Sequence, residues 1–167
     1  MAPLDLRGLI PLETFYRFRF NWRCAVIRET MGESKEDAVR LVNCPCFISS
    51  FRGETVLLDW TLFPSVAQTY NVYLPGKFLN PVTREVVQLV FSPTGHIYEG
   101  DILVVTGLPF VIRIIAVRDP LFHHRHYEVT GRLDPSWMWI PNIPMNTDDM
   151  TPYVNQIVQT LYGSTGN

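Results

Sequence analysis

The segment from Phe15 to Ile27 alternates strictly between two kinds of side chain. A strand places successive side chains on opposite faces, so the alternation predicts a β-strand over residues 15–28 with one apolar and one arginine-rich face. The apolar face holds Tyr16, Phe18, Phe20, Trp22, Cys24 and Val26, and the basic face holds Arg17, Arg19 and Arg23. This basic face is a candidate contact for DNA or for an acidic protein surface, and plain solvation of the charges is the alternative.

Further strands are predicted along the rest of the chain. Runs rich in Val, Ile, Phe and Tyr are bounded by glycine and by 13 prolines, a pattern typical of β proteins. The predicted strands cover residues 46–51, 56–60, 68–74, 102–105, 110–117 and 124–133. Because 47 % of the 167 residues are apolar, one domain with a buried core is expected. We predict a mainly β fold, a small SH3- or OB-like β-barrel.

Two segments favour helix. Ser34 precedes two acidic residues, which predicts a short helix that caps at Ser34 and ends before Pro45. A second helix is predicted at the C-terminal end, with Thr151 as its N-cap, Pro152 in its first position and Gly163 just beyond it. Its apolar stripe comprises Val154, Ile157, Val158 and Leu161.

A long excursion separates two of the predicted core strands. Residues 76–98 are broken by prolines and glycine around one apolar segment, so we predict a loop with a hairpin of its own. Loops of this length are usually functional or disordered, and Lys77 and Arg84 are its candidate residues for lining a channel. Residues 1–133 then form a β-barrel domain with an N-terminal arm, and residues 134–167 form an extension.

The extension is rich in proline and aromatic residues. "DPSWMWIPNIPMNTDDM" cannot form a long regular element, and residues 134–167 contain three aspartates but no lysine or arginine. Its tryptophans require burial, either on the chain's own barrel or on a neighbouring subunit. The candidate subunit or partner interface comprises Trp137, Trp139, Tyr153, Ile157 and Leu161.

Three of the four histidines fall within residues 123–126. Alternation predicts that His124, His126 and Glu128 share one strand face, where a His-x-His pair would ligate Zn²⁺ if further ligands were near. No local spacing supplies such a ligand, so the pattern favours a polar strand edge facing water or a partner. No metal or other cofactor is therefore expected.

The three cysteines favour a structural role. Their odd number indicates reduced thiols, and the single residue between Cys44 and Cys46 is too short for a metal knuckle or a thioredoxin-type pair. We predict that both lie in the core together with Cys24. No nucleophile elbow or phosphate-binding loop occurs, and carboxylates are scattered, so an enzyme is not expected.

The overall charge of the chain gives little indication of a binding partner. The net charge is −2 and the isoelectric point is about 6.1, so nothing overall indicates nucleic acid or an anionic membrane. No signal peptide is predicted, and no apolar run is long enough to span a bilayer. A soluble protein made in the cytoplasm, without a membrane partner, is the expectation.

Residues 97–133 carry a family resemblance. "IYEGDILVVTGLPFVIRIIAVRDPLFHHRHYEVTGRL" resembles the end of the head-closure, or stopper, proteins of tailed-bacteriophage necks, and "YNVYLP" at 70–75 resembles the strand before their long loop. The residues that match in order are Gly100, Asp101, Gly107, Phe110, Val117, Asp119, Pro120, His126, Tyr127, Glu128 and Val129. The match describes hairpin geometry rather than chemistry.

The resemblance implies a structural role. Proteins of this family are β-barrels in sixfold or twelvefold rings that join the portal and adaptor to the tail and close the channel against DNA leakage. The implied partners are further copies of the chain, the portal or adaptor, tail proteins and, transiently, genomic DNA. The implied location is the virion neck. Another neck protein, such as a tail terminator or adaptor, and a β-barrel nucleic-acid-binding module are the alternatives.

Overall fold

The structure is a computed structural model that describes residues 22–29, 35–50, 69–119 and 124–162. The described residues do not include Arg17, Arg19, the first part of the strand predicted at 15–28 or the strand predicted at 56–60. The described part is mainly β and ends in a helix, which confirms the predicted class.

The elements follow one another in a simple order. The strands are β1 (Arg23–Ile27), β2 (Val39–Pro45), β3 (Phe47–Ser50), β4 (Thr69–Pro75), β5 (Lys77–Leu79), β6 (Val86–Gln88), β7 (Ile102–Val105), β8 (Val111–Arg118) and β9 (His126–Leu133). The helices are α1 (Lys35–Ala38) and α2 (Thr151–Tyr162), with a 3₁₀ turn at Pro135–Trp137.

Seven of the described strands form one antiparallel sheet in the order β2-β1-β7-β8-β9-β4-β3, and β5 and β6 pair separately. The strands predicted at residues 102–105, 110–117 and 124–133 are present as β7, β8 and β9, which pair in chain order as a meander. The hairpin predicted inside residues 76–98 is formed by β5 and β6.

The sheet is curved but is not a closed barrel. Its two edge strands, β2 and β3, are consecutive in the chain with only Cys46 between them, so the edges meet at one corner. There the Cys46 amide donates to the Trp22 carbonyl at 3.2 Å. No ladder joins β2 to β3 in the described ranges, so the barrel predicted from the sequence is not closed by hydrogen bonds between its edge strands. One chain segment bends from one edge to the other instead.

The sheet carries a first core on one face. The strands alternate in burial, and their inward residues meet apolar residues of the 76–98 excursion. The first core includes Cys24, Val26, Cys44, Val72, Leu74, Leu103, Ile112, Tyr127 and Val129, with Phe78, Leu89 and Ile97 from the excursion.

The opposite face of β1 and β7 carries a second core. Ala25 and Ile27 of β1 are fully buried there, beside Ile102 and Val104 of β7 and under α2. A strand covered on both faces needs a continuous apolar run rather than alternation. The predicted arginine-rich face is therefore wrong over this part of β1, because Ala25 and Ile27, which follow Arg23 on that face, are buried in the second core.

The helix predicted from Ser34 is wrong beyond Ala38. The chain turns into β2 at Val39, and Leu41 lies opposite Val26 in the β1 ladder. The Ala38 carbonyl accepts from the Arg28 amide at 2.7 Å, which joins the end of α1 to the end of β1. Pairing with a strand far away in sequence thus overrides the local helix signal.

Helix α2 begins at Thr151, and its predicted stripe packs on the second core. The predicted capping role of Thr151 is wrong. The carboxylate of Asp149 accepts both the Thr151 amide at 3.0 Å and its hydroxyl at 2.6 Å, while the Met150 carbonyl accepts the Val154 amide.

Candidate interaction surfaces

The β5–β6 hairpin has two unlike faces. Phe78 of β5 is buried in the first core, and its cross-strand partner Val87 packs against it. Leu79 and Val86, also opposite each other, point outward and are 56 % and 68 % exposed. The hairpin therefore presents an apolar outer surface to its surroundings.

The turn of this hairpin is held by Asn80. Its side-chain oxygen accepts the amides of Val82 at 3.0 Å and Thr83 at 3.4 Å. Arg84 completes the turn with a φ of 65°, and its side chain is exposed. Lys77, the other candidate channel residue, is exposed at the first position of β5. The structure thus puts the two candidates at opposite ends of one hairpin.

The remainder of the excursion is tied to the sheet by two arginines. Arg28 forms a two-pronged ion pair with Asp101, with Nε–Oδ1 and Nη2–Oδ2 distances of 2.8 and 2.9 Å. It also donates to the Pro93 carbonyl. Arg40 donates to the carbonyls of Thr94 and Gly95 at 2.6 and 3.0 Å. Residues 93–95 are therefore held against β1 and β2 by side chains that satisfy backbone acceptors.

A groove of about 310 Å³ lies between β2 and the hairpin. Its apolar lining includes Val39 and Val42 on one side and Val82 and Val87 on the other. His96 lines it too, and the His96 Nδ1 accepts the Val90 amide at 3.0 Å. Partial burial, with a smaller contribution from the Arg40 charge, lowers the pKa of His96.

The two tryptophans of the extension have different surroundings. Trp137 is buried in the second core, and Trp139 stacks on it with ring centroids 5.2 Å apart. Trp139 itself is 42 % exposed, between the exposed Met138 and the half-buried Ile140. Trp139 is thus an aromatic surface group whose ring is supported from behind.

The other candidate interface residues belong to α2. Ile157 is fully buried in the second core, and Tyr153 and Leu161 are half-buried at its margin. Of the two destinations considered for the extension, the chain's own sheet receives Trp137 and Ile157. Among the five candidates, Trp139 is the exposed one.

The histidine-rich stretch does not form one face. Strand β9 begins at His126, and His124 lies before it with a φ of 55°. The His124 Nδ1 is 2.5 Å from a carboxylate oxygen of Asp119 and 3.3 Å from the Tyr127 hydroxyl. The predicted sharing of a face by His124 and His126 is therefore wrong, because the chain turns between them.

The outer face of β8, β9 and β4 is polar and partly exposed. Glu128 accepts from Arg118 and lies 3.3 Å from the His126 Nε2. Burial acts to raise the pKa of Glu128, but the hydrogen bonds from Arg118 and His126 outweigh it, so the pKa is lowered. On the neighbouring strands, Phe47 and Tyr73 stack with centroids 5.8 Å apart.

The three cysteines meet in the first core. Cys24 lies directly opposite Cys44 in the β1–β2 ladder, and the Cys44 thiol donates to the Pro45 carbonyl at 3.4 Å. All three are fully buried, as predicted, and burial raises the pKa of Cys44 and Cys46. Among the described residues, no group of three or more His, Cys, Asp or Glu side chains is arranged to hold a metal ion.

Two buried polar residues matter to these surfaces and were not predicted from sequence. Asp101, 2 % exposed, also accepts the Tyr98 amide at 2.9 Å and so fixes the end of the excursion. Asn43, with a φ of 62°, donates to Asp149 at 3.0 Å and accepts the Met150 amide at 2.7 Å. The one signal for Asp101 is the Gly-Asp pair before β7.

No protein-family model matches the chain, and no curated protein matches it in sequence. In the described part of the chain, neither α-helix has the length and apolarity that crossing a bilayer requires.

Proposed function

We propose that this chain is a structural subunit of a ring in the neck of a tailed bacteriophage, located in the virion. In this role it joins the portal or adaptor to the tail and closes the DNA channel. The resemblance of residues 97–133 to head-closure proteins supports the proposal, because the meander that carries the resemblance also forms the centre of the sheet.

The observation that carries the proposal is the β5–β6 hairpin. Its inner side is fixed in the first core through Phe78, and residues 93–95 are held by Arg28 and Arg40. Its outer side exposes Leu79 and Val86. A firmly anchored projection with an apolar outer surface suits a subunit that contacts neighbours in an assembly.

Assembly with portal complexes tests this function. The purified protein is mixed with portal or portal–adaptor particles from tailed phages, and binding is followed by gel filtration with light scattering and by electron microscopy. We expect a ring of six or twelve copies on the particle. A chain that stays monomeric and binds neither portal nor tail particles would contradict the proposal.

A second candidate is a module that binds single-stranded nucleic acid through the outer face of β8, β9, β4 and β3. The Phe47–Tyr73 stack lies beside Arg118, and the exposed Arg132 is on the same face. Aromatic platforms next to arginines bind bases and phosphates. Binding to short oligonucleotides that weakens with salt, and that is lost in Tyr73→Ala, would favour this candidate over the neck subunit.

A further inference from the structure

The chain has an apolar groove between β2 and the hairpin, and elsewhere it exposes a large aromatic side chain, Trp139. The two features are complementary, because such a groove can bury such a side chain. We propose that Trp139 of one copy docks into the β2–hairpin groove of a second copy. This inference rests on the proposed ring, since it names the contact by which neighbouring subunits would join.

Trp139 has the properties of an anchor. Its ring is 42 % exposed and is backed by the buried Trp137, so little side-chain freedom remains to be lost on binding. Met138 beside it is 56 % exposed and has a flexible, apolar side chain. Tryptophans of this kind, seated in a partner's pocket, dominate the energy of protein interfaces.

The groove has the size and lining of a receptor for such an anchor. Its volume of about 310 Å³ lies at the small end of the range for binding pockets. Valines form both walls, so an indole ring that entered would be buried against apolar groups on two sides. Asn80, Thr83 and His96 at the margin supply polar groups near the edge of the ring.

The charges favour a second copy of this chain as the occupant. Arg40 lines the groove, and none of the described residues that line it is acidic. The segment that carries Trp139 is acidic, since residues 134–167 contain three aspartates and no lysine or arginine. Within the same chain Asp134 pairs with Arg113, and Asp149 accepts hydrogen bonds from Asn43 and Thr151, so Asp148 is the aspartate of this segment that is exposed for such a contact. Each copy carries both the acidic anchor segment and the groove, so the contact can repeat from subunit to subunit.

Disulfide trapping between two variants tests the contact. Thr83→Cys places a thiol at the groove, and Met138→Cys places one beside Trp139 while leaving the tryptophan intact. The three native cysteines are fully buried. The variants are mixed with oxidised glutathione, which becomes two glutathione thiols as the protein disulfide forms. We expect a reducible dimer of twice the 19.3 kDa chain mass, several-fold more abundant than with either variant alone.

Several control variants make the result specific. Ile115→Cys, at an exposed apolar position of β8, replaces Thr83→Cys and should give only the background of random collisions. Adding Trp139→Ala to the Met138→Cys protein should reduce the dimer to that background, whereas Trp139→Phe should restore much of it. Melting temperatures verify that each variant is folded. Val82→Asp, an exposed change in the groove that leaves the tryptophan stack intact, should also abolish trapping.

Equal trapping with Thr83→Cys and Ile115→Cys, or trapping that survives both Trp139→Ala and Val82→Asp, would overturn the inference. The proposed function fails separately. Rings on portal particles without this trapping would remove the contact but keep the neck role. Specific trapping by a protein that binds no portal or tail particle would keep the contact and remove the neck role.

Discussion

At the scale of single residues, the surfaces depend on a few buried polar groups with distant partners. Asp101 lies 73 positions from Arg28, and Asn43 lies 106 positions from Asp149. Each connects a surface segment to the sheet: Asp101 holds the end of the excursion, and Asn43 holds the start of α2. Removing one partner of such a pair leaves the other buried without its bonds, which costs more than the pair itself contributes.

Asp101→Ala is expected to reduce the free energy of unfolding by about 3–5 kcal/mol, because it leaves the Arg28 guanidinium partly buried without its carboxylate. Urea unfolding followed by circular dichroism measures the loss. Glu128→Gln, which removes an ion pair with the largely exposed Arg118, is the matched control and should have a small effect. The double variant Arg28→Met/Asp101→Leu should recover part of this loss. If it is no more stable than Asp101→Ala, the unpaired Arg28 charge is not the cause of the lost stability.

Asn43 allows backbone and side-chain effects to be separated. Asn43→Gly tolerates the φ of 62° but removes both side-chain hydrogen bonds, so we expect a loss of about 1–3 kcal/mol from the unsatisfied Met150 amide and Asp149. Asn43→Ala should cost more, since it adds backbone strain. If Asn43→Gly is as stable as the wild type in urea, the hydrogen bonds from Asn43 to the start of α2 contribute nothing to the free energy of unfolding.

At the scale of elements, local signals predicted the parts whose partners are adjacent in the chain. The three strands of the meander are successive apolar runs separated in the sequence by Thr106-Gly107 and Asp119-Pro120, and the hairpin in the excursion follows from one apolar run between prolines. The segment after Ala38 was predicted wrongly because β1, which draws it into the sheet, precedes it by more than ten residues. The covering of β1 by α2 was missed for the same reason.

Two adjacent residues of β5 test whether the inner and outer faces of the hairpin contribute differently to stability. Phe78→Ala should lower the free energy of unfolding by about 3–5 kcal/mol, because it leaves a cavity in the first core. Leu79→Ala, on the exposed side of the same strand, should change it by less than about 0.5 kcal/mol. Thermal and urea unfolding of both variants measure the difference. Equal losses would show that Phe78 and Leu79 are buried to a similar extent, which would contradict the structure.

At the scale of the whole molecule, the sequence indicated the fold class but not the groove or the exposed tryptophan. The curved sheet has a core on each face, and the groove arises only where the hairpin approaches β2. Neither strand of the hairpin contains a signal for that approach, which is fixed by Arg40 and the carbonyls of residues 94 and 95. The exposure of Trp139 likewise depends on Trp137 occupying the second core.

The pH dependence of stability follows from His96 in the groove and Asp149 at the start of α2. The pKa of His96 is lowered by burial and by the Arg40 charge, so the unfolded chain binds its proton more readily. Stability should therefore begin to fall as the pH drops through 6.5, the ordinary value for histidine. The pKa of Asp149 is lowered by hydrogen bonds from Thr151 and Asn43, so its contribution is present above its ordinary value of 3.8 and is lost as the pH falls through the lowered one.

Urea unfolding at successive pH values should therefore show two separate losses, one beginning near pH 6.5 and one near pH 4. His96→Asn offers a smaller oxygen acceptor for the Val90 amide but does not titrate, so it should remove the first loss and leave the second. Asp149→Asn should reduce the second and leave the first. A first loss that persists in His96→Asn would place its origin in another group. His96 lines the groove, so its protonation in the folded protein, which occurs only at the low-pH end of this first loss, would add positive charge where the acidic segment of a second copy is proposed to bind.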